Sequence, residues 1–592
     1  MDGHPTTPNP YDDVLPGTKR IFTDENASTS DESLLEKDGD VILVPRPTNS
    51  PNDPLRWSRP RKVLHSVIVC YIVALTAATS NIAGVASTGV EEEYGISYDY
   101  FNTGAGVLFL AIGYWTLLSS PLVHLYGRRI GYILSALLGF GGNLWFGYLS
   151  NTNDTIWSQL FVGASESVAE SVVQLSLLDI WFEHQNGTSL GFYTLATSVG
   201  TYLGPLIAGY IAHDETVGWR WIGYFGAIIS AGTLVLTYFC LEETAFDRNR
   251  YLRAEEQRAS TNTVGLSAPA TNGEPDEKTT ETKQAAPADA PAVSPVGTNT
   301  EGEKTAVSER PPVGVSATDV ERDTDGLSIG YTERKTYWQR IRLITPARNL
   351  RGTGFLQYLH RLWHTLRVFT FPAVWYAGLQ WGMQNIALSF YLTVEEDNWT
   401  DEPWFYDDAA VANMNLACII GSVIGCFYGG YCSDKFMLWR SRRNRGIMEA
   451  EFRLHLMTLC MAIFPTGMWL FGIGSAQGWS WPVPYVGLGF IGFGYGCAGD
   501  LSITYLADCY PDMVLEGMVG VAVINNTLAM IFTFVASYWL DTGIQQCFIA
   551  LGVLSFVILG LSLPMMWWGK RFRSWTKTRY LNYLQIRDGL DD

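Results

Sequence analysis

The sequence predicts an all-α integral membrane protein with two six-helix halves joined by a long polar connection. Hydrophobic residues make up 47% of the 592 residues and charged residues only 17%, against roughly 25% charged in a typical soluble domain. Apolar stretches of about 20 residues, enough to cross about 30 Å of hydrocarbon, recur along the chain. They form two sets of six, and most charged residues lie outside them.

The N-terminal segment, residues 1–60, precedes the first apolar stretch and is rich in Pro, Asn, Thr and Asp. It contains no basic start followed by an apolar run, so we do not expect a cleaved signal peptide. Its composition predicts a disordered segment on the cytoplasmic side of the membrane. The first helix is then expected to serve as its own signal anchor.

The apolar stretches predict a six-helix half over residues 61–241 and a second over 368–568. The predicted spans of the first half fall near 64–86, 101–122, 130–149, 157–182, 189–212 and 220–241. Those of the second half fall near 368–394, 410–431, 454–474, 483–508, 517–540 and 545–568. Residues 569–592 follow as a predicted cytoplasmic tail.

The connection between the halves, residues 242–367, is predicted to be a cytoplasmic linker that is mostly disordered. Residues 256–330 have almost no large apolar side chains, so burial cannot offset the entropy of ordering them. Residues 297–305 resemble a phosphate-binding loop with one residue too many, and they follow no strand and open no helix. The sequence therefore does not favour an ATP-driven pump.

Basic residues lie almost entirely in the connections on one side, which the positive-inside rule assigns to the cytoplasm together with both termini. On the opposite side the connections are acidic, and two sequons there, at Asn153 and Asn398, are predicted glycosylation sites. The net charge of −18 gives no support to nucleic-acid binding. The nine cysteines show no metal or redox spacing, so no metal or cofactor is expected.

Matching features recur at matching helices of the two halves. Asp179 ends predicted helix four and lies twelve residues before Gly191, and Asp508 ends predicted helix ten, twelve residues before Gly520. Parallel repeats of this kind are typical of transporters that hold a small-molecule substrate between the halves near the midplane.

Three acidic residues fall well inside predicted spans, away from the span ends, where an ionised side chain costs at least ~2.5 kcal/mol. Glu166 and Glu170 lie one turn apart in helix four, and Asp500 lies in helix ten. Two carboxylates about 6 Å apart in a low dielectric do not both ionise easily, so one can take up and release a proton. We therefore predict that the pair binds a proton or a cationic group. The alternative is that these acids bond to Ser or Asn neighbours and only lock helices together.

A second charged set lies at the predicted cytoplasmic ends of the helices. An acid there can pair with a loop arginine in one conformation and release it in the other, which makes a gate. The alternative is end-capping and topology determination. The predicted gating residues are Arg128, Arg129, Asp179, Asp434 and Asp508.

Three motifs carry a resemblance to a known family. Residues 51–58 read Pro-Asn-Asp-Pro-Leu-Arg-Trp-Ser, residues 121–129 read Pro-Leu-Val-His-Leu-Tyr-Gly-Arg-Arg, and residues 200–209 read Gly-Thr-Tyr-Leu-Gly-Pro-Leu-Ile-Ala-Gly. With them the chain resembles the major facilitator superfamily, and within it the fungal branch of the drug:proton antiporter family. It departs from that pattern where the family's loop Asp falls at His124 and its helix-four Arg at Gln159.

The resemblance implies a central cavity lined by helices one, four, seven and ten, in which Glu166 and Glu170 face Asp500. Helices one and seven would add polar and aromatic residues to that cavity, namely Asn81, Gln380, Trp381, Gln384 and Asn385. The helix-five motif, which accompanies export in that family, falls on Gly200, Gly204, Pro205 and Gly209.

The function implied is proton-coupled efflux of a small organic molecule, such as a drug, toxin or secondary metabolite, through a fungal plasma membrane. The expected partners are the substrate, protons and the lipid bilayer, and we expect a monomer. Two alternatives remain: uptake of a cationic nutrient such as a polyamine, and a channel or transporter-like receptor, to which Gln159 would point. A catalytic membrane protein is not favoured, because the sequence has no nucleophile–His–acid spacing.

Overall fold

The computed structural model describes residues 15–22, 37–38, 41–214, 216–246, 248, 251–252, 334–347, 350, 352–400 and 402–591. Most of the predicted linker, including the loop at residues 297–305, therefore lies outside the described residues. The described residues of the two halves belong to one compact unit, Met1–Phe246 with Lys335–Asp592.

The N-terminal half consists of helices that follow the predicted spans closely. Helix four is interrupted by a π-helical turn, Ala169–Val173, which separates its two parts, α5 and α6. The helices are α1 (Arg59–Ser80), α2 (Ser87–Tyr94), α3 (Tyr98–Tyr126), α4 (Arg129–Gly147), α5 (Thr152–Glu166), α6 (Gln174–Ile180), α7 (Asn186–His213) and α8 (Arg220–Cys240).

The C-terminal half repeats this plan, preceded by two short helices and followed by a long one. A second π-helical turn, Tyr428–Cys432, interrupts helix eight. The helices are α9 (Tyr337–Arg340), α10 (Phe355–Thr365), α11 (Pro372–Asn398), α12 (Asp408–Phe427), α13 (Ser433–Arg443), α14 (Leu454–Gln477), α15 (Pro482–Cys509), α16 (Val514–Leu540), α17 (Ile544–Gly560) and α18 (Ser562–Asp591).

In the part of the chain that the structure describes, ten helices are long and apolar enough to cross a membrane. The other two predicted spans are helix four, which is α5 with α6, and helix seven, which is α11. These two carry buried polar residues, including Glu166, Glu170 and Gln384. Because those side chains lie inside the bundle, the helices can cross the bilayer without exposing them to lipid.

The halves meet along two helix pairs, α3 against α16 and α7 against α12. Small residues allow the close approach. A Cβ on Gly113 of α3 would lie 3.0 Å from Asn526 of α16, and a Cβ on Gly209 of α7 would lie 2.5 Å from Ala412 of α12. Glu170 of helix four, Trp381 of α11 and Gly499 of α15 lie together, and we call this region the centre.

The two ends of the bundle differ in charge. We call the end that carries Arg128, Arg453 and Arg573 the arginine-rich end, and the end that carries Glu93 and Arg220 the opposite end. At the arginine-rich end, β1 (Thr18–Arg20) pairs antiparallel with β4 (Ile447–Glu449), and β2 (Lys37–Asp38) pairs with β3 (Val41–Ile42).

The described part of the N-terminal segment packs on the bundle, so the prediction of disorder over residues 1–60 is wrong there. Leu55 and Trp57 are buried, and the Arg61 guanidinium lies 3.9 Å from the Trp57 ring centroid. A polar composition shows only that a segment cannot build its own core. A few apolar side chains are enough to attach it to an existing one.

Candidate functional site

Two carboxylates lie at the centre of the N-terminal half. Glu166 and Glu170 are both buried, and Glu166 bonds to the Ser80 side chain at the end of α1. The Glu170 Oε2 accepts a long hydrogen bond, 3.4 Å, from the Asn525 Nδ2 of α16. Among the described residues, no Lys, Arg or His forms an ion pair with either carboxylate. The predicted acid pair is therefore present and electrostatically uncompensated.

The helix that carries these carboxylates is irregular at this point. Glu166 ends α5, and Glu170 lies in the π-helical turn. Turns of this type are rare and occur frequently at functional sites. The sequence predicts one unbroken span near 157–182, and the π-helical turn divides it in the structure.

The C-terminal half faces the acids with aromatic and amide side chains. The Trp381 indole of α11 lies beside the Glu170 carboxylate, and its ring centroid is 5.0 Å from that of Tyr495. A side chain on Gly499 would overlap the Trp381 ring, so this glycine makes room for the indole. The Asn385 Nδ2 lies 3.4 Å from the Asn525 Oδ1, which extends the polar chain from Glu170 to α11.

The other predicted cavity residues of helices one and seven lie elsewhere. The Asn81 side chain donates to Ala77 O, 2.8 Å away in its own helix, and the Gln380 Nε2 donates to Ile558 O of α17 at 2.6 Å. Gln384 is buried, and neither polar atom of its amide has a partner among the residues described. The structure thus brings Trp381 and Asn385 to the acids, while Asn81 and Gln380 point away.

Asp500 does not face the acid pair across the centre, contrary to the prediction. Its Oδ1 accepts from Thr504 Oγ1 at 3.1 Å. Its Oδ2 lies where α7 crosses helix eight, 3.1 Å from the position of a Cβ on Gly191, Gly429 or Gly430. The neighbouring Gly499 is the residue of α15 that faces the centre. Because successive residues of a helix point about 100° apart around its axis, Asp500 faces α7 and helix eight instead of the centre.

Four of the five predicted gating residues belong to two separate ion-pair systems. Arg128 Nη1 lies 2.7 Å from Asp179 Oδ2 within the N-terminal half. In the C-terminal half, Arg453 binds Asp508 at 2.5 Å and Asp434 at 2.8 Å. Sequence reasoning missed Arg453, although a lone arginine directly before the predicted ninth span was a usable signal.

The second system also joins the halves. Asp434 accepts hydrogen bonds from the backbone N–H groups of Gly187 and Thr188, at 3.1 and 2.6 Å, in the first turn of α7. An acid at a helix N-terminus is stabilised by the unpaired N–H groups there. The contacts of Asp434 with α7 therefore join the two halves at the arginine-rich end.

Arg129 lies apart from the predicted gating acids in this conformation. Its side chain is buried, and its guanidinium donates to Tyr238 O at 2.7 Å near the end of α8. The last carbonyl groups of a helix lack intrahelical partners. In this conformation Arg129 therefore caps a helix end and pairs with no gating acid.

The helix-five motif brings α7 close to two neighbours. Side chains on Gly200 and Gly204 would overlap the backbone of α1 at Ala74 and Ala78, and Gly209 packs against α12. Pro205 lies inside α7. The motif therefore serves packing of α7 against both halves.

The two predicted glycosylation sites lie at the opposite end. Asn153 is exposed in the first turn of α5. Asn398 ends α11, next to Trp399, which is buried and stacks on Trp404 with 4.0 Å between ring centroids. Glycosylation at both positions stays a prediction.

Comparison with known proteins agrees with this architecture. Residues 67–533 match the model of the Major Facilitator Superfamily. The chain is 46% identical to Uncharacterized MFS-type transporter C1271.10c of Schizosaccharomyces pombe, over 99% of this chain and 97% of that protein. It is also 46% identical to Protein HOL1 of Saccharomyces cerevisiae, over 100% of both chains.

Among solved structures, the proton:xylose symporter XylE bound to 6-bromo-6-deoxy-D-glucose has a TM-score of 0.54 at 12% identity, over 86% of this chain and 96% of that one. At this identity the likeness shows the fold alone. The full-length relatives do not single out the drug:proton antiporter branch, so that narrower resemblance is not supported. The chain belongs to the Major Facilitator Superfamily and is a multi-pass membrane transporter.

Proposed function

We propose that this transporter carries a small organic cation by alternating access, with Glu166 and Glu170 binding the cationic group at the centre. One observation carries the proposal: two buried carboxylates have no basic partner among the described residues, and one of them, Glu170, lies beside Trp381. Buried charges require compensation. An ammonium or guanidinium group supplies it, and the aromatic face favours the same group.

The position of these residues also links binding to conformational change. The acids belong to the N-terminal half, whereas Trp381, Asn385 and Asn525 belong to the C-terminal half. A cation held by both sets favours the conformations in which the two halves are close at the centre. A ligand shifts such an equilibrium only by its differential affinity for the states, and a site shared between halves provides that difference.

Protons enter the proposal through the same carboxylates. Without a bound cation, one proton shared by Glu166 and Glu170 relieves the repulsion between two buried negative charges. A cation then replaces this proton, so proton and substrate compete for one site. This arrangement needs no arginine at the position that Gln159 occupies. We place the activity in the plasma membrane, with a monomer as the working unit and both termini cytoplasmic.

The test is transport by the purified protein in liposomes under an inward proton gradient. Spermidine, tetraethylammonium, a neutral hydrophobic dye and a sugar are offered in turn while internal pH is followed. We expect proton movement with the two cations only, and its loss in Glu170→Gln. The exposed Glu92→Gln variant is the control for surface charge. Transport of the neutral compounds, unchanged in Glu170→Gln, would contradict the proposal.

A second candidate function is proton-coupled efflux of a drug, toxin or secondary metabolite. The observation that favours it is the helix-five motif, whose glycines pack α7 directly on α1. Cells preloaded with a fluorescent lipophilic cation distinguish the directions. Faster loss of the dye in cells that contain the protein supports efflux, and faster accumulation supports uptake.

A further inference from the structure

A cleft lies at the opposite end of the bundle, between α7 of the N-terminal half and α11 and α12 of the C-terminal half. Its cavity volume is about 30 Å³, which is room for a single ammonium group, and it opens to the outside. Its walls include the acidic residues Glu395 and Asp408, and no Lys, Arg or His among the described residues lines it. The cleft is therefore separate from the central acids and has the same sign of charge.

The polar groups of this cleft suit a cation. The Glu395 side chain is only 1% exposed, and Asp408 lies in the first turn of α12. Asn415, 2% exposed, lines the same cleft with an Oδ1 atom that has no hydrogen-bond partner in the described part of the chain. A buried acceptor without a donor costs free energy. An N–H group of a bound cation would satisfy it.

Aromatic rings connect this cleft to the centre. The ring centroids are 5.0 Å apart for Trp381 and Tyr495, 5.8 Å for Tyr495 and Tyr202, and 6.2 Å for Tyr202 and Tyr391. Tyr391 precedes Glu395 by one turn of α11, so both side chains lie on the same face of the helix. At ~1.5 Å per residue, Trp381 and Glu395 are about 21 Å apart along α11.

We propose that Glu395, Asp408 and Asn415 form a second binding subsite for organic cations, connected to Glu166 and Glu170 by the row of aromatic rings. The inference rests on the proposed function of the central site. Cations interact with the faces of Tyr and Trp within about 6 Å, so the row offers successive weak sites between two strong ones. The subsite concentrates ammonium groups at the opposite end and excludes anions.

The experiment measures spermidine uptake into proteoliposomes by wild type, Glu395→Gln, Asp408→Asn and Glu170→Gln. Asp541→Asn is the control, because Asp541 is an exposed acid at the opposite end, next to the last residue of α16. We expect Glu395→Gln to raise the half-saturating concentration about tenfold while the maximal rate stays within about twofold. Asp408→Asn should raise it about threefold, because this carboxylate is less buried. Asp541→Asn should behave as wild type.

The outcomes separate the two proposals. If wild type transports no cation, the proposed function fails and the subsite fails with it. If wild type transports spermidine and Glu170→Gln abolishes transport, but Glu395→Gln and Asp408→Asn match wild type, only the subsite is wrong. If Glu395→Gln does not fold, Asp408→Asn decides alone: a raised half-saturating concentration supports the subsite, and an unchanged one overturns it.

Discussion

The two halves carry an arginine–aspartate pair at equivalent helix ends, but in different surroundings. In the N-terminal half, Arg128 and Asp179 are each 14% exposed, and the pair stays within that half. In the C-terminal half, Arg453 and Asp508 are each 0% exposed, and Arg453 continues through Asp434 to the first turn of α7. The Arg128–Asp179 pair thus stabilises the N-terminal half alone. The Arg453–Asp508 pair belongs to a network that connects the two halves.

The halves also differ at the centre. Glu166 and Glu170 lie thirteen and nine residues before Asp179, and the residues at the same spacing before Asp508 are Tyr495 and Gly499. One half therefore supplies the negative charges, and the other supplies a ring and the space for Trp381. A site built this way is complete only when both halves contribute. The two halves therefore share one arrangement of helices, but each contributes different groups to the binding site.

The largest expected effect comes from removing the buried arginine. Arg453→Ala leaves Asp434 and Asp508 buried without their cation, and breaking a buried pair in this way costs about 3–5 kcal/mol. The equivalent change Arg128→Ala removes a partly exposed pair and should cost about 1 kcal/mol or less. Titration with a denaturing detergent in mixed micelles measures the free energy of unfolding of both variants.

Arg453→Lys is the matched control, since it keeps the charge and loses only the forked geometry. It should fall between wild type and Arg453→Ala. Equal losses for Arg453→Ala and Arg128→Ala would show that the two pairs are energetically alike, and the distinction between the halves would not hold.

A smaller effect is expected from filling the space beside the Trp381 ring. In Gly499→Ala the new methyl group overlaps the indole, so Trp381 must leave its present position beside Glu170. Losing one cation–π contact of about 1–2 kcal/mol would raise the half-saturating concentration of spermidine roughly tenfold. Radiotracer uptake at several spermidine concentrations provides the measurement.

Gly489→Ala is the control on the same helix, because its Cβ would lie 3.6 Å from its nearest neighbour, Ala417 O. It should leave spermidine uptake unchanged. If Gly499→Ala also leaves uptake unchanged, the indole takes no part in binding, and the C-terminal half contributes only shape to the site.

The sequence was sufficient for the helices and for the central acids, because hydrophobic length and an ionisable residue within a span are local signals. The sequence was insufficient to predict the contacts of Asp500 and Arg129, because these depend on the direction in which each side chain points from its helix. Asn525 and the row of tyrosines were missed for a related reason. Asn and Tyr within a span are compatible with packing. Only the structure shows that Asn525 bonds to Glu170 and that the tyrosines form a row towards the cleft.

The smallest effect concerns the N-terminal segment, which touches both halves. Lys19 in β1 pairs with Glu183 at 2.5 Å, while β1 itself pairs with β4 of the C-terminal half. Burial opposes the charge on Lys19, but the Glu183 carboxylate outweighs it and raises the pKa of Lys19 above its ordinary value of 10.5. A raised lysine pKa means that the stabilisation is complete below the ordinary value and is lost only as pH rises through the higher one.

Lys19→Gln should therefore loosen the arginine-rich end equally at pH 6 and pH 9. The Lys19 side chain is 29% exposed, so the pair contributes at most about 1 kcal/mol, or up to roughly fivefold in an opening equilibrium. Hydrogen exchange at the amides of Gly187 and Thr188 reports that opening. Lys570→Gln removes an ion pair with Glu449 inside the C-terminal half and should leave the exchange rate unchanged. Equal acceleration in both variants would mean that the segment stabilises its own half and does not connect it to the other.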